Sequence, residues 1–395
     1  MDKLLKKHFG FDKFLPLQEE IICNVLAGRD TLALLPTGGG KSLCYQLPAM
    51  ALPGLTLVIS PLIALMKDQV SALQKAGIPG AYLNSSLGIK DERRIKEDLE
   101  SRKIKLLYVA PERLMKPEFI DFVKRLGVSL IAVDEAHCIS EWGHDFRPEY
   151  RNIHVIRDIL PKTPVVALTA SATRKVRQDI IAQLKFTDFE TFCGSFDRKN
   201  LNYIVRPKQE AYYHMLNYIE DHRGQAGIIY CHSRATADKM AAQLVADGVR
   251  ALAYHAGLTP KERSANQESF MKGDTDIITA TVAFGMGIDK PDIRFVMHYD
   301  LPKNLESYYQ ETGRAGRDGK PADCILFFSP RDKIKHDFFI RKFENRALAR
   351  IASEKLEAMA YFCTSYQCRR KMLLSYFGED YPESVCSGCD NCKSE

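Results

Sequence analysis

Lys41 and Ser42 close the stretch Leu35-Pro36-Thr37-Gly38-Gly39-Gly40-Lys41-Ser42, which follows the apolar run Thr31-Leu32-Ala33-Leu34 and precedes a helix-compatible segment, Leu43 to Leu52. That layout suits a phosphate-binding loop. Three successive glycines let the backbone N–H groups from Thr37 to Gly40 close around an anion, and the following helix N-terminus adds its dipole. Lys41 can then reach the outer phosphates and Ser42 can hold Mg²⁺. The implied ligand is a nucleoside triphosphate. The general pattern has Gly at its first position, where this chain has Leu35. A Gly-rich surface turn carrying a chance lysine is the plain alternative, and it weakens as partners accumulate downstream.

The first partners are acidic. Asp134-Glu135-Ala136-His137 follows the apolar run Leu130 to Val133. Asp134 there can hold Mg²⁺ through water, and Glu135 can orient and deprotonate the attacking water. Seen alone, adjacent acids at a strand end are a solvated turn; the phosphate loop changes that. Upstream, Gln18 stands where an amide could read the Watson–Crick edge of adenine, although a core role serves its position equally well. Downstream, Ser140-Glu141-Trp142-Gly143-His144-Asp145-Phe146-Arg147-Pro148-Glu149-Tyr150 contains the only Trp of the chain. Set among Gly, His, Asp, Arg and Pro, this Trp belongs to a loop, and aromatics on a loop beside Arg suit stacking on unpaired bases. The bland reading is an aromatic anchor pinning a long loop.

Gln310-Glu311-Thr312-Gly313-Arg314-Ala315-Gly316-Arg317-Asp318-Gly319 places two arginines on one face of a helix or tight turn. An arginine reaching a γ-phosphate contributes roughly 10³–10⁵ in rate, whereas the commoner fate of such a stretch is a solvated basic helix end. Cys386, Cys389 and Cys392, with Cys368 upstream, are set apart from the other seven of the eleven cysteines. Four thiolates fit a closed tetrahedral Zn²⁺ site of structural type. An iron–sulfur cluster or plain free cysteines are the alternatives. The run Cys368-Arg369-Arg370-Lys371 makes contact with a nucleic-acid backbone reasonable beside the metal.

These residues need scaffolds. Residues 1–30 read as helical. Short apolar runs then alternate with helix-like stretches: Leu55 to Ser60, Lys105 to Ala110, Leu130 to Asp134 and Pro164 to Ala170. Such alternation argues a parallel sheet of βαβ units, with ligands at the carboxyl ends of its strands. The pattern breaks at Cys193 to Asn200, where the domain boundary is placed. A second series follows, Gly227 to Cys231, Arg250 to His255, Asp276 to Thr281, Arg294 to Tyr299 and Asp323 to Phe328. Within it, Thr259-Pro260-Lys261-Glu262 marks a helix start by N-cap, N1 proline and capping box, and Gly273 marks its end. From Arg331 the chain reads as helical and basic, with Lys333, Lys335, Arg341, Lys342, Arg346 and Arg350 against Asp332, Asp337 and Glu344.

Composition sets the outer bounds. A length of 395 residues suggests two or three domains, and 45% hydrophobic content is ordinary for globular chains. No apolar run approaches the ~18–20 residues of a membrane span, and the N-terminus lacks a signal-type apolar region. An intracellular protein is the expectation. The net charge of +6 is compatible with a polyanionic partner without requiring one.

Assembled in this order, the motifs resemble those of the RecQ-family DNA helicases of superfamily 2 across essentially the whole chain. To the stretches already quoted the resemblance adds Ser60-Pro61-Leu62, Ala110-Pro111-Glu112-Arg113, Leu168 to Thr173, Ile229-Tyr230-Cys231-His232-Ser233-Arg234, Tyr254-His255-Ala256-Gly257 and Thr281 to Asp289. It implies an α/β fold of two tandem RecA-like parallel-sheet domains, 1–198 and 199–332, and a small helical zinc module with four cysteine ligands, 333–395. It implies ATP, Mg²⁺ and Zn²⁺ as cofactors, and single-stranded and duplex DNA as partners of a monomer in the cytoplasm or nucleus. The implied activity is ATP-driven 3′→5′ translocation with duplex separation, in recombination and repair. Residue by residue, it implies adenine contact for Gln18, catalytic work for Lys41, Glu135, Arg314 and Arg317, and DNA coupling through Trp142, His144, Phe146 and Arg147. Where the family usually has Arg and Gly ahead of Gln18, this chain has Leu15 and Leu17, and Lys199 stands where Pro is usual. Many relatives continue into winged-helix and helical domains, which makes an ATPase or translocase with little unwinding the alternative activity. RNA unwinding, or a binding module that uses ATP only as a switch, are more distant readings.

Overall fold

The computed structural model describes residues 1–61, 63–84, 87–284 and 290–393. Leu62 and Gly285-Met286-Gly287-Ile288-Asp289, parts of two motifs named above, lie outside the described residues. The chain divides into two compact units, Met1–Ser195 and Phe196–Glu395.

The first unit is built on seven strands: β1 (Asp30–Leu34), β2 (Leu55–Ile59), β3 (Gly80–Leu83), β4 (Leu106–Val109), β5 (Val128–Val133), β6 (Val165–Thr169) and β7 (Phe189–Cys193). They pair in parallel in the order β3-β4-β2-β5-β6-β1-β7. β1, β2, β4 and β6 are buried along their whole length, which is why their sequences are mainly apolar rather than alternating, with Asp30, Thr31, Thr56 and Thr169 as the buried polar members. Beneath the phosphate loop, Ile21, Val25, Ala33, Leu35, Tyr45, Val58, Leu130 and Leu168 pack in one core cluster.

The second unit has six strands: β8 (Leu201–Pro207), β9 (Ala226–Tyr230), β10 (Ala251–Tyr254), β11 (Ile277–Ala280), β12 (Ile293–His298) and β13 (Ala322–Phe328). Their order is β10-β11-β9-β12-β13-β8, again all parallel. The helix Pro260–Lys272 has the capping box of Thr259 and Glu262, and it stops at Gly273 with φ 85°. After β13 come helices Pro330–Ile340, Arg346–Thr364 and Arg369–Tyr376, which belong to this second unit together with the cysteine cluster. Among the described residues no helix is long and apolar enough to cross a membrane.

Candidate functional site

In the first sheet β5, β6 and β1 lie side by side, so the residues that follow them meet at one edge. The loop after β1 begins with Leu35, whose N–H donates to the Thr169 carbonyl at 3.1 Å and whose side chain is only 2% exposed. This position therefore prolongs β1 into the core, and the turn proper starts one residue later. Gly38 and Gly40 adopt φ of 85° and 67°. A Cβ on Gly40 would lie 2.2 Å from Nε2 of Gln18.

That near-contact shows where Gln18 is. It is 2% exposed; its Nε2 donates to the Gly40 carbonyl at 3.1 Å and its Oε1 accepts from the Leu15 N–H at 2.8 Å. Gln18 thus braces the phosphate loop from behind. Sequence reasoning missed this role because the partner is 22 positions away. Lys41 and Ser42 follow, with Ser42 at the N-cap position of helix Leu43–Ala51 and no side-chain cap bond of its own.

Asp134 follows β5. Burial and the neighbouring Glu135 raise its pKa to about 7, although the Lys41 ammonium pulls it down. A buried carboxyl whose charged form the Lys41 ammonium only partly supports suits a site completed by a metal ion. Glu135 sits at φ 48°, ψ 47°, a left-handed conformation that costs a non-glycine residue roughly 1–2 kcal/mol. The surroundings impose it: Asp134 Oδ1 accepts the Glu135 N–H at 3.0 Å, and the Tyr150 hydroxyl donates to the Asp134 carbonyl at 3.0 Å. Oε2 of Glu135 is buried, lies 3.3 Å from His137 Nδ1 and has no hydrogen-bond donor among the described residues. A buried carboxylate oxygen in that condition is ready for a water.

His137 joins three motifs. Its Nδ1 lies 3.0 Å from Thr169 Oγ1 at the end of β6, and its ring stacks on His144 with centroids 4.1 Å apart. The aromatic loop is therefore anchored on the acid-bearing turn. Its Gly143 is obligatory there, since a Cβ would come 2.2 Å from the His137 carbonyl. Elsewhere in the loop Lys175 Nζ lies 2.9 Å from the centre of the Trp142 ring, and Arg151 lies over Phe146 at 5.3 Å. Arg147 pairs with Asp145 and donates to the Pro61 carbonyl at 2.8 Å, just past β2. Trp142, His144, Phe146 and Arg147 are all half-buried and held by polar, ring-stacking and cation–π contacts, while Tyr150 at the end of the loop is buried in the core.

In the second unit helix Leu305–Thr312 ends at Gly313, and Arg314 and Arg317 lie in the turns that follow. Arg314 is buried; burial pushes the nearby Tyr230 phenol up to about 12 while Arg314 pulls it back. The arginine turn is held by Arg198, which donates to the carbonyls of Gly313 at 3.2 Å and of Ala315 and Gly316 at 2.9 Å. Asn200 adds a bond to Gly316 at 2.8 Å.

Cys368, Cys386, Cys389 and Cys392 bring their sulfurs within 4.8 Å of one another. Four thiols so placed fit a tetrahedral ion whose bonds to sulfur are about 2.3 Å. Against the desolvation of burial, the Gly388 N–H, the neighbouring thiols and Arg370 hold the Cys386 thiol below its ordinary value. Arg369 ties the cluster together by pairing with Asp390 at 3.0 Å and donating to the Ser365 carbonyl at 2.9 Å.

The fold is thus two RecA-like parallel-sheet units, the first carrying the glycine loop and the acid pair at the ends of its strands and the second carrying the paired arginines. Family models agree: DEAD/DEAH box helicase matches residues 15–180, the helicase conserved C-terminal domain 208–319, and the RecQ zinc-binding region 330–393. The chain belongs to the RecQ helicase family. It is 46% identical over 385 residues to the ATP-dependent DNA helicase RecQ of Pasteurella multocida, a match covering 97% of this chain and 61% of that protein. It is 44% identical over 391 residues to the protein of the same name from Bacillus subtilis, covering 98% and 66%. The chain thus spans less than two thirds of the length of these relatives. In fold it resembles S. cerevisiae Dbp5 bound to RNA and ADP BeF3, with a TM-score of 0.67 at 18% identity over 90% of this chain and 97% of that one.

Proposed function

We propose that this chain hydrolyses ATP and uses the energy to move 3′→5′ along single-stranded DNA and separate duplex DNA, as a motor of recombination and repair. The observation that carries the reading is the convergence of Lys41, Asp134, Glu135 and His137 at the ends of β1, β5 and β6, with His144 of the aromatic loop stacked on that cluster. The names of the RecQ relatives supply DNA as the partner.

The backbone from Thr37 to Gly40 cradles the phosphates and Lys41 neutralises them. Ser42 and Asp134 would hold Mg²⁺, which offsets phosphate charge when bound. Glu135 accepts a proton from the attacking water at the oxygen left without a donor. Gln18 keeps its brace on Gly40 and offers adenine the second lone pair of Oε1. Arg314 and Arg317 stabilise the charge on the phosphoryl group in transfer. Trp142, His144, Phe146 and Arg147 bind DNA and transmit that contact through His137 to Glu135. Cys368, Cys386, Cys389 and Cys392 hold Zn²⁺ as a structural ion.

ATP hydrolysis with and without single-stranded DNA tests this. The wild-type chain should be stimulated by DNA, and Lys41→Ala should be inert. Arg317→Ala should bind nucleotide yet turn over roughly 10³-fold more slowly. Undiminished turnover in Lys41→Ala would remove the site assignment.

A further inference from the structure

Helix Pro330–Ile340 and the turn after it present large apolar side chains to solvent: Ile334 is 65% exposed, Phe338 57%, Phe339 49% and Phe343 48%. Phe residues are among those most often found inside proteins, and several grouped on one exposed element mark an interaction surface.

The helix is not loosely attached. Its buried Asp332 pairs with Lys208 at 2.8 Å, and Lys208 pairs in turn with Asp300 at 2.6 Å, just past the end of β12. His336 Nε2 donates to the Leu301 carbonyl at 2.8 Å. At the carboxyl end of β9, exposed His232 sets its ring 5.1 Å from that of His336 and 5.6 Å from that of Phe339, while its N–H donates to Asp300 at 2.9 Å. The helix is thus fixed to the carboxyl edge of the second sheet, the edge at which parallel sheets receive their ligands.

The charge around the rings is positive. Residues 331–350 contain seven Lys and Arg against three Asp and Glu. Of the acids, Asp332 is committed to Lys208 and Asp337 to Lys333. Lys342 lies over Phe338 with its Nζ 4.2 Å from the ring centre, while Arg341 and Arg346 are exposed and make no ion pair among the described residues. Exposed aromatic rings flanked by cations are the two components of a single-strand binding surface, base stacking and backbone attraction.

We propose that Phe338, Phe339 and Phe343, with Lys342, Arg341 and His232, form a second stacking platform for single-stranded nucleic acid on the second unit. It rests on the reading of the chain as a DNA motor and adds a contact surface to it. Bases stack on the exposed rings, and the lysine and arginines follow the phosphates.

The test is fluorescence anisotropy of a labelled oligothymidylate against the full chain over a series of salt concentrations. Phe338→Ala/Phe343→Ala should weaken binding roughly tenfold, and Phe338→Trp should retain it. Lys342→Ala should weaken binding and lower the slope of log affinity against log salt by about one. Unchanged melting temperature and metal content show that the variants are folded; these side chains are exposed enough for that. Wild-type affinity in the double Ala variant, while the wild-type chain binds, overturns the platform and leaves the motor reading standing. So does a dimer that the double variant dissociates, which would assign the face to a second copy. Failure of the wild-type chain to bind the oligonucleotide overturns both.

Discussion

The Arg370 guanidinium donates to the backbone carbonyl of Arg198 at 2.9 Å. Arg198 in turn holds the carbonyls of Gly313, Ala315 and Gly316 around Arg314. Arg370 also bonds the Leu201 carbonyl at 2.7 Å and pairs with Asp197. The cysteine cluster and the arginine turn are therefore mounted on one short segment, 197–201. Cys389→Ser should release zinc, lower the melting temperature of the second unit and slow turnover by loosening the arginine turn. Metal analysis with calorimetry checks the first two effects. Zinc content equal to wild type would dismiss the four-thiolate site.

Leu17 adopts φ 67° at the N-cap of helix Gln18–Leu26. Its half-buried side chain packs on the core cluster under the phosphate loop. Leu17→Gly gives up that packing but relieves left-handed strain of roughly 1–2 kcal/mol, whereas Leu17→Ala gives up the packing and keeps the strain. The Gly variant should therefore be more stable than the Ala variant by about 1 kcal/mol, the reverse of the usual order. Urea denaturation decides it, and an Ala variant equal to or more stable than Gly contradicts the strain.

Trp142→Ala should reduce stimulation by DNA about tenfold, by loss of one base-stacking contact, and should reduce hydrolysis without DNA far less. Steady-state ATPase rates over a DNA titration give both numbers. Equal losses would mean that Trp142, under Lys175, only holds the loop in shape.

How much of this could be read before the fold was known depends on how local the cause is. The helix Pro260–Lys272 was legible because its capping box, N1 proline and terminal glycine are all within the helix or next to it. The buried strands were legible as apolar runs, and the acids of Asp134 and Glu135 followed from the strand before them. β3, β7 and β8 were not; all three are edge strands with partial exposure instead of a continuous apolar run, although the partly exposed edge strand β10 was still legible. Long-range partners left no local trace either. Nothing near Gln18 announces Gly40, and nothing near Arg198 announces Gly313, because proximity there is made by the order of strands. Leu35 looked like a departure from the phosphate-loop pattern, and its burial as an extension of β1 explains how the loop accommodates it.

Although burial opposes it, the His232 N–H and Lys208 hold the Asp300 carboxyl below its ordinary value. A carboxyl with a depressed folded-state pKa stabilises the chain above its unfolded value, about 3.9, and that stabilisation disappears as the pH falls through the lower folded value. Asp300→Asn should therefore lower the melting temperature at pH 7, and the difference should shrink as the pH falls below the unfolded value of about 3.9 and through the lower folded value. Calorimetry across that range checks it. A constant difference at every pH would assign Asp300 a packing role alone.

In the proposed motor, ATP hydrolysis at Lys41 and Glu135 drives strand separation. Displacement of a labelled strand from 3′-tailed and 5′-tailed DNA duplexes, with Lys41→Ala as the blank, tests this most directly. The expected result is ATP-dependent displacement from the 3′-tailed duplex, little from the 5′-tailed one, and none with Lys41→Ala. No displacement from either duplex, by a folded and zinc-loaded chain that still hydrolyses ATP when DNA is added, would contradict it.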